Sequence, residues 1–163
     1  LEMISLNIMT LVALTHRYLR KMRERGNGGV IINVSSSASF QPIPFMATYA
    51  ATKAFVTSFT EAIAEENRPH GIKIINLCPG ATETNFFAAA DIKEPIQVKG
   101  MQTAEEVVET ALQAARGGKT GTVVSGWANY VGAVLGTLAP NALVTRVIGG
   151  VLRPKIEKNS QER

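Results

Sequence analysis

Apolar residues recur at helical spacing in four parts of this 163-residue chain. Positions three and four apart along residues 3–25 predict a long first helix, and the same spacing predicts a second helix over residues 48–67. A third helix begins at Thr103, where Glu106 completes a capping box. The pattern is helical again after Trp127 and is divided at Pro140, because a proline in the middle of a helix removes a backbone donor.

Three short runs between these helices are apolar or β-branched nearly throughout: residues 30–34, 72–77 and 122–125. Strands of this kind that alternate with helices are typical of a parallel sheet covered on both faces. The order predicts half of a doubly wound α/β sheet, whose ligand site lies beyond the carboxyl ends of the strands. We expect the polar tail from about residue 154 to be disordered.

Composition excludes several classes of function. The net charge is +4, but the cations crowd the end of the first helix and form no stripe interleaved with aromatic residues, so we expect no nucleic-acid partner. One cysteine, Cys78, cannot form an internal disulfide and fits a cytoplasmic location. His16 and His70 are far apart in sequence and lack companion ligands, so no metal site is expected.

The longest apolar region, residues 127–152, is interrupted by Pro140, Asn141 and Arg146. It is therefore a poor candidate for a membrane-spanning helix. The same region leaves open a peripheral contact between the C-terminal helices and a lipid surface.

Three polar residues are candidates for chemistry. Tyr49 and Lys53 lie four positions apart on one helix face, and an adjacent ammonium is expected to lower the pKa of a phenol. On the pair alone, a solvent-facing lysine beside a core tyrosine is the better interpretation. Ser36 changes that judgement, because it lies at the end of the preceding strand, beside the start of this helix. Its hydroxyl and that of Tyr49 could reach one substrate oxygen.

The stretches "INVSS" (32–36), "YAATK" (49–53) and "NLCPGATET" (76–84) resemble the short-chain dehydrogenase/reductase family in order and spacing. The resemblance covers most of the chain and implies a Rossmann-like parallel sheet of three strands with flanking helices. It also implies an oxidoreductase that transfers a hydride between NAD or NADP and a carbonyl or alcohol. A small-molecule substrate is therefore expected.

The resemblance assigns a role to each candidate. Tyr49 would be the general acid or base, and Ser36 would hydrogen-bond the substrate oxygen. Lys53 would hold the nicotinamide ribose, and Asn7, in "SLNIM", would complete a catalytic tetrad by holding a water for proton relay. Ser35 and Ser37 are expected to be structural.

Further positions resemble the cofactor and substrate segments of the family. Pro79, Gly80, Thr82 and Thr84 match its Pro-Gly-x-x-x-Thr stretch beside the nicotinamide, although a plain turn also accounts for Pro-Gly. Tyr49 and Lys53 would share in cofactor binding. Two phenylalanines in the following loop suggest an apolar substrate, although core packing explains them equally well; these are Phe86 and Phe87.

The glycine-rich fingerprint of the family and its Asn-Asn-Ala-Gly stretch are absent from this chain. We therefore interpret residues 1–163 as the C-terminal, catalytic part of a domain whose N-terminal strands lie upstream, and we expect this piece alone to be inactive. By the same resemblance, the helices at 3–25 and 48–67 should form a homodimer or homotetramer interface, aided by a small face of Ala47, Ala50, Ala51 and Ala54.

Two other interpretations remain at this point. The chain could be a non-catalytic remnant or interaction module that has lost the dinucleotide-binding half. It could also be a sugar-nucleotide epimerase or dehydratase, which shares Tyr-x-x-x-Lys. Those enzymes usually carry their serine or threonine farther ahead of the tyrosine and append a larger C-terminal domain.

Overall fold

The computed structural model describes residues 1–85 and 101–161, with side chains described to Pro154. Its first helix, α1, is one continuous rod made of α-helical Glu2–Ile4, π-helical Ser5–Thr10 and α-helical Leu11–Arg25. Gly26 ends this rod with a left-handed backbone, φ 67°. A residue without a Cβ suits that conformation, which closes many helices.

Three parallel strands form the main sheet in the order β1-β2-β5. They are β1 (Gly29–Val34), β2 (Ile72–Cys78) and β5 (Gly121–Val124). Strand β2 is central, and every residue except Lys73 is buried. Its continuous apolar sequence follows from that position, because helices cover both faces. The three predicted strands and their parallel arrangement are confirmed.

Helices cover the sheet on both sides. Helix α2 (Ala47–Asn67) joins β1 to β2 and lies with α1 on one face, where Leu19, Ile63 and Ile74 form a buried cluster. Helix α3 (Ala104–Arg116) covers the other face, where Leu77 packs against Val107. Alternate residues of β2 thus enter two separate apolar layers, as the pleat of a strand requires.

The predicted capping box at the start of α3 is present. Thr103 Oγ1 accepts from the Glu106 backbone N–H at 3.2 Å, and Glu106 Oε2 accepts from the Thr103 N–H at 2.9 Å. Just before it, the sequence pattern missed a second, two-stranded parallel sheet of β3 (Thr82–Glu83) and β4 (Gln102–Thr103). Strands of two residues carry too little periodicity to be recognised.

Two helices complete the chain, α4 (Trp127–Leu138) and α5 (Asn141–Gln161). The break at Pro140 is confirmed. We expected the tail to be disordered from about residue 154. In the structure, α5 continues past Pro154 and has a helical backbone through Gln161. In the two described ranges, we find no helix with the length and apolar character needed to cross a membrane.

The amino ends of β1 and β2 meet at two glycines with left-handed backbones, Gly28 (φ 71°) and Gly71 (φ 65°). A Cβ placed on Gly28 would lie 2.8 Å from the carbonyl oxygen of Gly71. At Gly26, whose φ is 67°, nothing lies within 4 Å of such a Cβ. An alanine at Gly26 would therefore introduce backbone strain alone, whereas an alanine at Gly28 would add a steric overlap to the same strain.

We predict that Gly26→Ala lowers the free energy of unfolding by about 1 to 2 kcal/mol, the cost of a left-handed backbone with a Cβ. Gly28→Ala should lower it by about 1 to 3 kcal/mol more, because the added methyl overlaps a backbone carbonyl. Urea unfolding of both variants measures the difference. Equal costs at the two positions would show that Gly71 moves aside freely.

Candidate active site

The ladder between β1 and β2 continues past the last strand residue of β1. The Ser35 N–H donates to Leu77 O at 2.7 Å, and the Ser37 N–H donates to Pro79 O at 2.7 Å. These bonds hold the three serines beside the Pro-Gly turn that follows β2. The carboxyl ends of both strands therefore lie at one edge of the sheet.

Ser36 and Tyr49 are brought together at this edge. Ser36 Oγ accepts from the Ala38 N–H at 3.1 Å and so caps the short 3₁₀ helix Ser37–Phe40. Tyr49 lies in the first turn of α2, and its phenol forms a hydrogen bond with Ser36. The two hydroxyls predicted to share a substrate oxygen are thus in contact.

The pKa of Tyr49 differs from the sequence expectation. Burial raises it above the ordinary value of 10.0, and the hydrogen bond with Ser36 acts in the opposite direction. The lowered pKa expected from Lys53 is wrong for the chain in this structure. Desolvation of the phenolate is the largest influence on this pKa and exceeds any attraction from the neighbouring ammonium.

Lys53 lies one helical turn after Tyr49. Its Nζ donates to the backbone oxygen of Val34 at 3.0 Å and lies 5.8 Å from the centroid of the Tyr49 ring. Burial lowers the pKa of Lys53, and Cys78 acts in the opposite direction. Burial also raises the pKa of the Cys78 thiol, so Cys78 is uncharged at neutral pH and attracts the ammonium only when ionised.

Asn7 reaches the same helix from α1. Its Nδ2 donates to Thr52 Oγ1 at 3.0 Å, and Thr52 Oγ1 donates to the backbone oxygen of Tyr49 at 2.8 Å. Asn7 lies in the π-helical segment, and such insertions are frequent at functional sites. Its amide therefore contacts the turn that carries Tyr49, through a threonine that the sequence pattern did not single out.

A polar network connects α2 to the three strands of the main sheet. Ser35 Oγ donates to the backbone oxygen of Lys53 at 2.8 Å and lies 2.9 Å from Thr57 Oγ1. Asn76 Nδ2 in turn donates to Thr57 Oγ1 at 3.2 Å and to Thr122 Oγ1 at 2.9 Å. Ser35 therefore has the structural role that was expected. Its hydroxyl connects the turn of α2 that carries Lys53 to the end of β1.

The predicted cofactor segment is less compact than the Ser36–Tyr49–Lys53 cluster. The Pro79 oxygen accepts from Ser37, as described above, and Thr82 Oγ1 donates to Gly80 O at 3.0 Å. Thr84 is exposed. A Cβ at Gly80 would overlap the side chain of Asn129, so the close approach at this glycine is made by a residue of α4 that sequence reasoning missed.

Two residues predicted from the sequence to line the substrate site cannot be placed. Phe86 and Phe87 lie outside the described residues.

Cys78 is fully buried and is a core thiol, as expected. Within the two described ranges there is no group of three or more His, Cys, Asp or Glu side chains able to hold a metal ion.

The family model described as short chain dehydrogenase matches residues 1–95, which is more than half of the chain. The chain belongs to the short chain dehydrogenase family. The match contains Asn7, Ser36, Tyr49, Lys53 and the Pro-Gly turn, and membership disfavours the epimerase interpretation.

Curated relatives are about a third identical to the chain over the aligned residues. Very-long-chain 3-oxoacyl-CoA reductase from Rattus norvegicus is 34% identical over 115 residues, which cover 69% of this chain and 34% of that protein. 17-beta-hydroxysteroid dehydrogenase type 3 from Mus musculus is 34% identical over 112 residues, with the same two shares. The chain thus spans about a third of the length of these relatives.

The fold is also that of solved family members. A short-chain dehydrogenase from Sphingobium yanoikuyae, in complex with NADPH, superposes with a TM-score of 0.70 and is 27% identical. The match covers 82% of this chain and 52% of that one. The three-stranded sheet and its helices therefore correspond to about half of a complete short chain dehydrogenase structure.

We predict that Ser35→Ala lowers the free energy of unfolding by about 1 to 3 kcal/mol, because it removes the hydroxyl that bonds both the Lys53 carbonyl and Thr57 Oγ1. Ser37→Ala is the matched control. The ladder bond of Ser37 comes from its backbone N–H, so its loss of a hydroxyl should cost less than about 0.5 kcal/mol. Denaturant unfolding compares them, and equal losses would remove the special role of Ser35.

Proposed function

We propose that this chain carries the catalytic part of an oxidoreductase that transfers a hydride between NAD or NADP and a carbonyl or alcohol substrate. The observation that carries the proposal is the contact between the hydroxyls of Ser36 and Tyr49, with Lys53 above the tyrosine ring. Membership of the short chain dehydrogenase family supports the same reaction class.

The donor groups of the site fit the ribose end of a nicotinamide cofactor. An ammonium has three N–H donors, and in the described part of the chain the one acceptor for Lys53 Nζ is Val34 O. Two donors are thus available for the neighbouring hydroxyls of a ribose. Tyr49, Thr82 and Thr84, with the Pro79–Gly80 turn, are the other proposed contacts, and the choice between NAD and NADP is left open.

In the reduction direction, Tyr49 donates its proton to the carbonyl oxygen while Ser36 hydrogen-bonds that same oxygen. The raised pKa keeps the phenol protonated at neutral pH, as a general acid requires. When bound, the cofactor supplies the hydride that reaches the carbonyl carbon. Lys53, whose Nζ lies 5.8 Å from the ring centroid of Tyr49, and Asn7, which contacts Thr52, are proposed to return a proton to it.

An apolar carbonyl compound is the proposed substrate. Support comes from the names of the relatives, one a very-long-chain 3-oxoacyl-CoA reductase and one a 17-beta-hydroxysteroid dehydrogenase. Phe86 and Phe87 are proposed to line its site. The competing proposal, a non-catalytic remnant or interaction module, requires that the hydroxyl cluster have no role in turnover.

The homo-oligomeric state and the cytoplasmic location stay predictions. One detail of the proposed helix interface changes, because Ala50 is buried within the chain at 4% exposure, whereas Ala47, Ala51 and Ala54 are exposed. The small face available to a partner subunit therefore excludes Ala50.

We predict that Tyr49→Phe in the complete protein lowers turnover at least about 100-fold, the usual contribution of a general acid. Cofactor affinity should change little, because the ring and Lys53 remain. Tyr18→Phe is the control, since Tyr18 is 52% exposed on α1. Steady-state kinetics with a panel of apolar ketones measures both, and a Tyr49 variant that keeps a third of the activity contradicts the assignment.

The same kinetics has an expected pH dependence. Because burial raises the Tyr49 pKa above 10.0, the acid form persists through neutral pH, and reduction should slow only when the pH passes that raised value. A decline that begins near neutral pH would assign the proton to another group.

The exposed edge of β1 leads to a prediction for the 163-residue polypeptide by itself. Val30 and Val34 are 43% and 50% exposed on this edge, and a groove of about 470 Å³ runs between β1 and α1. An unpaired apolar edge promotes association between chains. We therefore expect this polypeptide to self-associate and to bind NADH and NADPH weakly, whereas a version extended at its amino end is soluble and active.

Titration of both polypeptides with NADH or NADPH, followed by nicotinamide fluorescence, measures the difference. Sedimentation establishes the association state in the same samples. Saturable tight binding by a monomer of the shorter polypeptide would show that the cofactor site lies within residues 1–163.

A further inference from the structure

The C-terminal helices carry a broad apolar surface. On α4, Trp127 and Leu138 are each 77% exposed and Leu135 is 62% exposed. On α5, Leu143, Val147 and Val151 are 55%, 57% and 59% exposed. We call these six side chains the C-terminal apolar face. Exposed apolar side chains in this number mark contact sites more often than inert surface.

Both helices turn their other sides toward one segment of the chain, residues 37–46. Gly136 of α4 lies against the side chain of Gln41, and Gly149 of α5 lies against the ring of Pro44. The buried residues Ala133 and Val144 belong to these inner sides. The C-terminal apolar face therefore points away from the segment and away from the sheet.

Charge distinguishes the possible occupants of this face. Residues 127–154 contain two arginines, Arg146 and Arg153, and no aspartate or glutamate. The arginines lie seven positions apart and share the flank of α5 that borders Pro44 and Phe45. A second copy of the chain docked through its own C-terminal apolar face would bring four guanidinium groups together without an acidic partner from residues 127–154. An anionic surface would instead neutralise them.

The aromatic residues fit the same kind of surface. Trp127 and Tyr130 stand at the start of α4 with ring centroids 6.0 Å apart, and Tyr130 is 51% exposed. Tryptophan and tyrosine concentrate where a membrane meets water, because each has an apolar ring and a polar group. Helices with apolar residues and tryptophan on one side and arginine on the flank bind in the plane of that interface.

We propose that the C-terminal apolar face docks on the surface of a bilayer that contains anionic phospholipid. The six apolar side chains enter the boundary between headgroups and acyl chains, and Arg146 and Arg153 contact the phosphate groups. The contact is peripheral. Segment 37–46, which joins Ser36 to the helix of Tyr49, lies on the opposite side of α4 and α5 from the membrane.

Vesicle flotation of the complete protein tests the proposal without any substrate or cofactor. Phosphatidylcholine vesicles that contain phosphatidylserine should carry the protein, and the fluorescence of Trp127, the one tryptophan in the 163 residues, should shift to shorter wavelength. Leu135→Ser with Leu138→Ser should reduce partitioning at least about tenfold. Replacing both arginines by glutamine should reduce it by about fivefold for each arginine, and only for vesicles with phosphatidylserine.

The matched control is Val108→Ser with Leu112→Ser on α3, which removes two exposed aliphatic side chains from another helix and should leave partitioning unchanged. The proposal is overturned if the unmodified protein does not float with anionic vesicles, or if the α3 control loses partitioning as strongly as the α4 variant. It is also overturned if Leu135→Ser with Leu138→Ser dissociates a dimer in sedimentation and no variant changes lipid binding. Should the α4 variant fail to fold, the Trp127 shift in the unmodified protein decides.

Discussion

Two backbone hydrogen bonds beyond the end of β1 organise the site. Ser35 and Ser37 donate to Leu77 and Pro79, so the chain stays paired with β2 for three residues after Val34. Ser36, between them, is thereby held at a fixed distance from the turn after β2. A strand that ended at Val34 would leave its hydroxyl on a loop free to adopt many conformations.

The helix that follows is held by three side-chain hydrogen bonds. Asn7 reaches it through Thr52, Ser35 donates to the carbonyl of Lys53, and Lys53 Nζ donates to the carbonyl of Val34. One contact comes from α1 and two from the end of β1, so Tyr49 cannot shift relative to β1 without breaking a hydrogen bond. The hydroxyls of Ser36 and Tyr49 are thus positioned by side chains whose own partners lie within the fold.

Apolar periodicity was sufficient to predict the helices, because burial of one face imposes that periodicity. Continuous apolar runs predicted the three strands, and the spacing of Thr103 and Glu106 predicted the capping box. These patterns were insufficient for contacts between distant elements. Nothing in the sequence near Gly80 indicates that Asn129, on α4, fills the space beside it. The direction of the Tyr49 pKa shift was also beyond reach, since it depends on how much water burial removes compared with what Lys53 contributes.

Asn33 and Asn76 stand opposite each other in the β1–β2 pairing, and both turn toward α2. Asn33 binds Thr15 and Thr60, and Asn76 binds Thr57 and Thr122. If β1 paired one residue out of step, it would turn over and press the Asn33 amide into the aliphatic layer under α3. A buried amide without partners costs about 1 to 3 kcal/mol. The two asparagines therefore destabilise a pairing shifted by one residue relative to the observed one. The observed pairing is the one that sets Ser36 beside Tyr49.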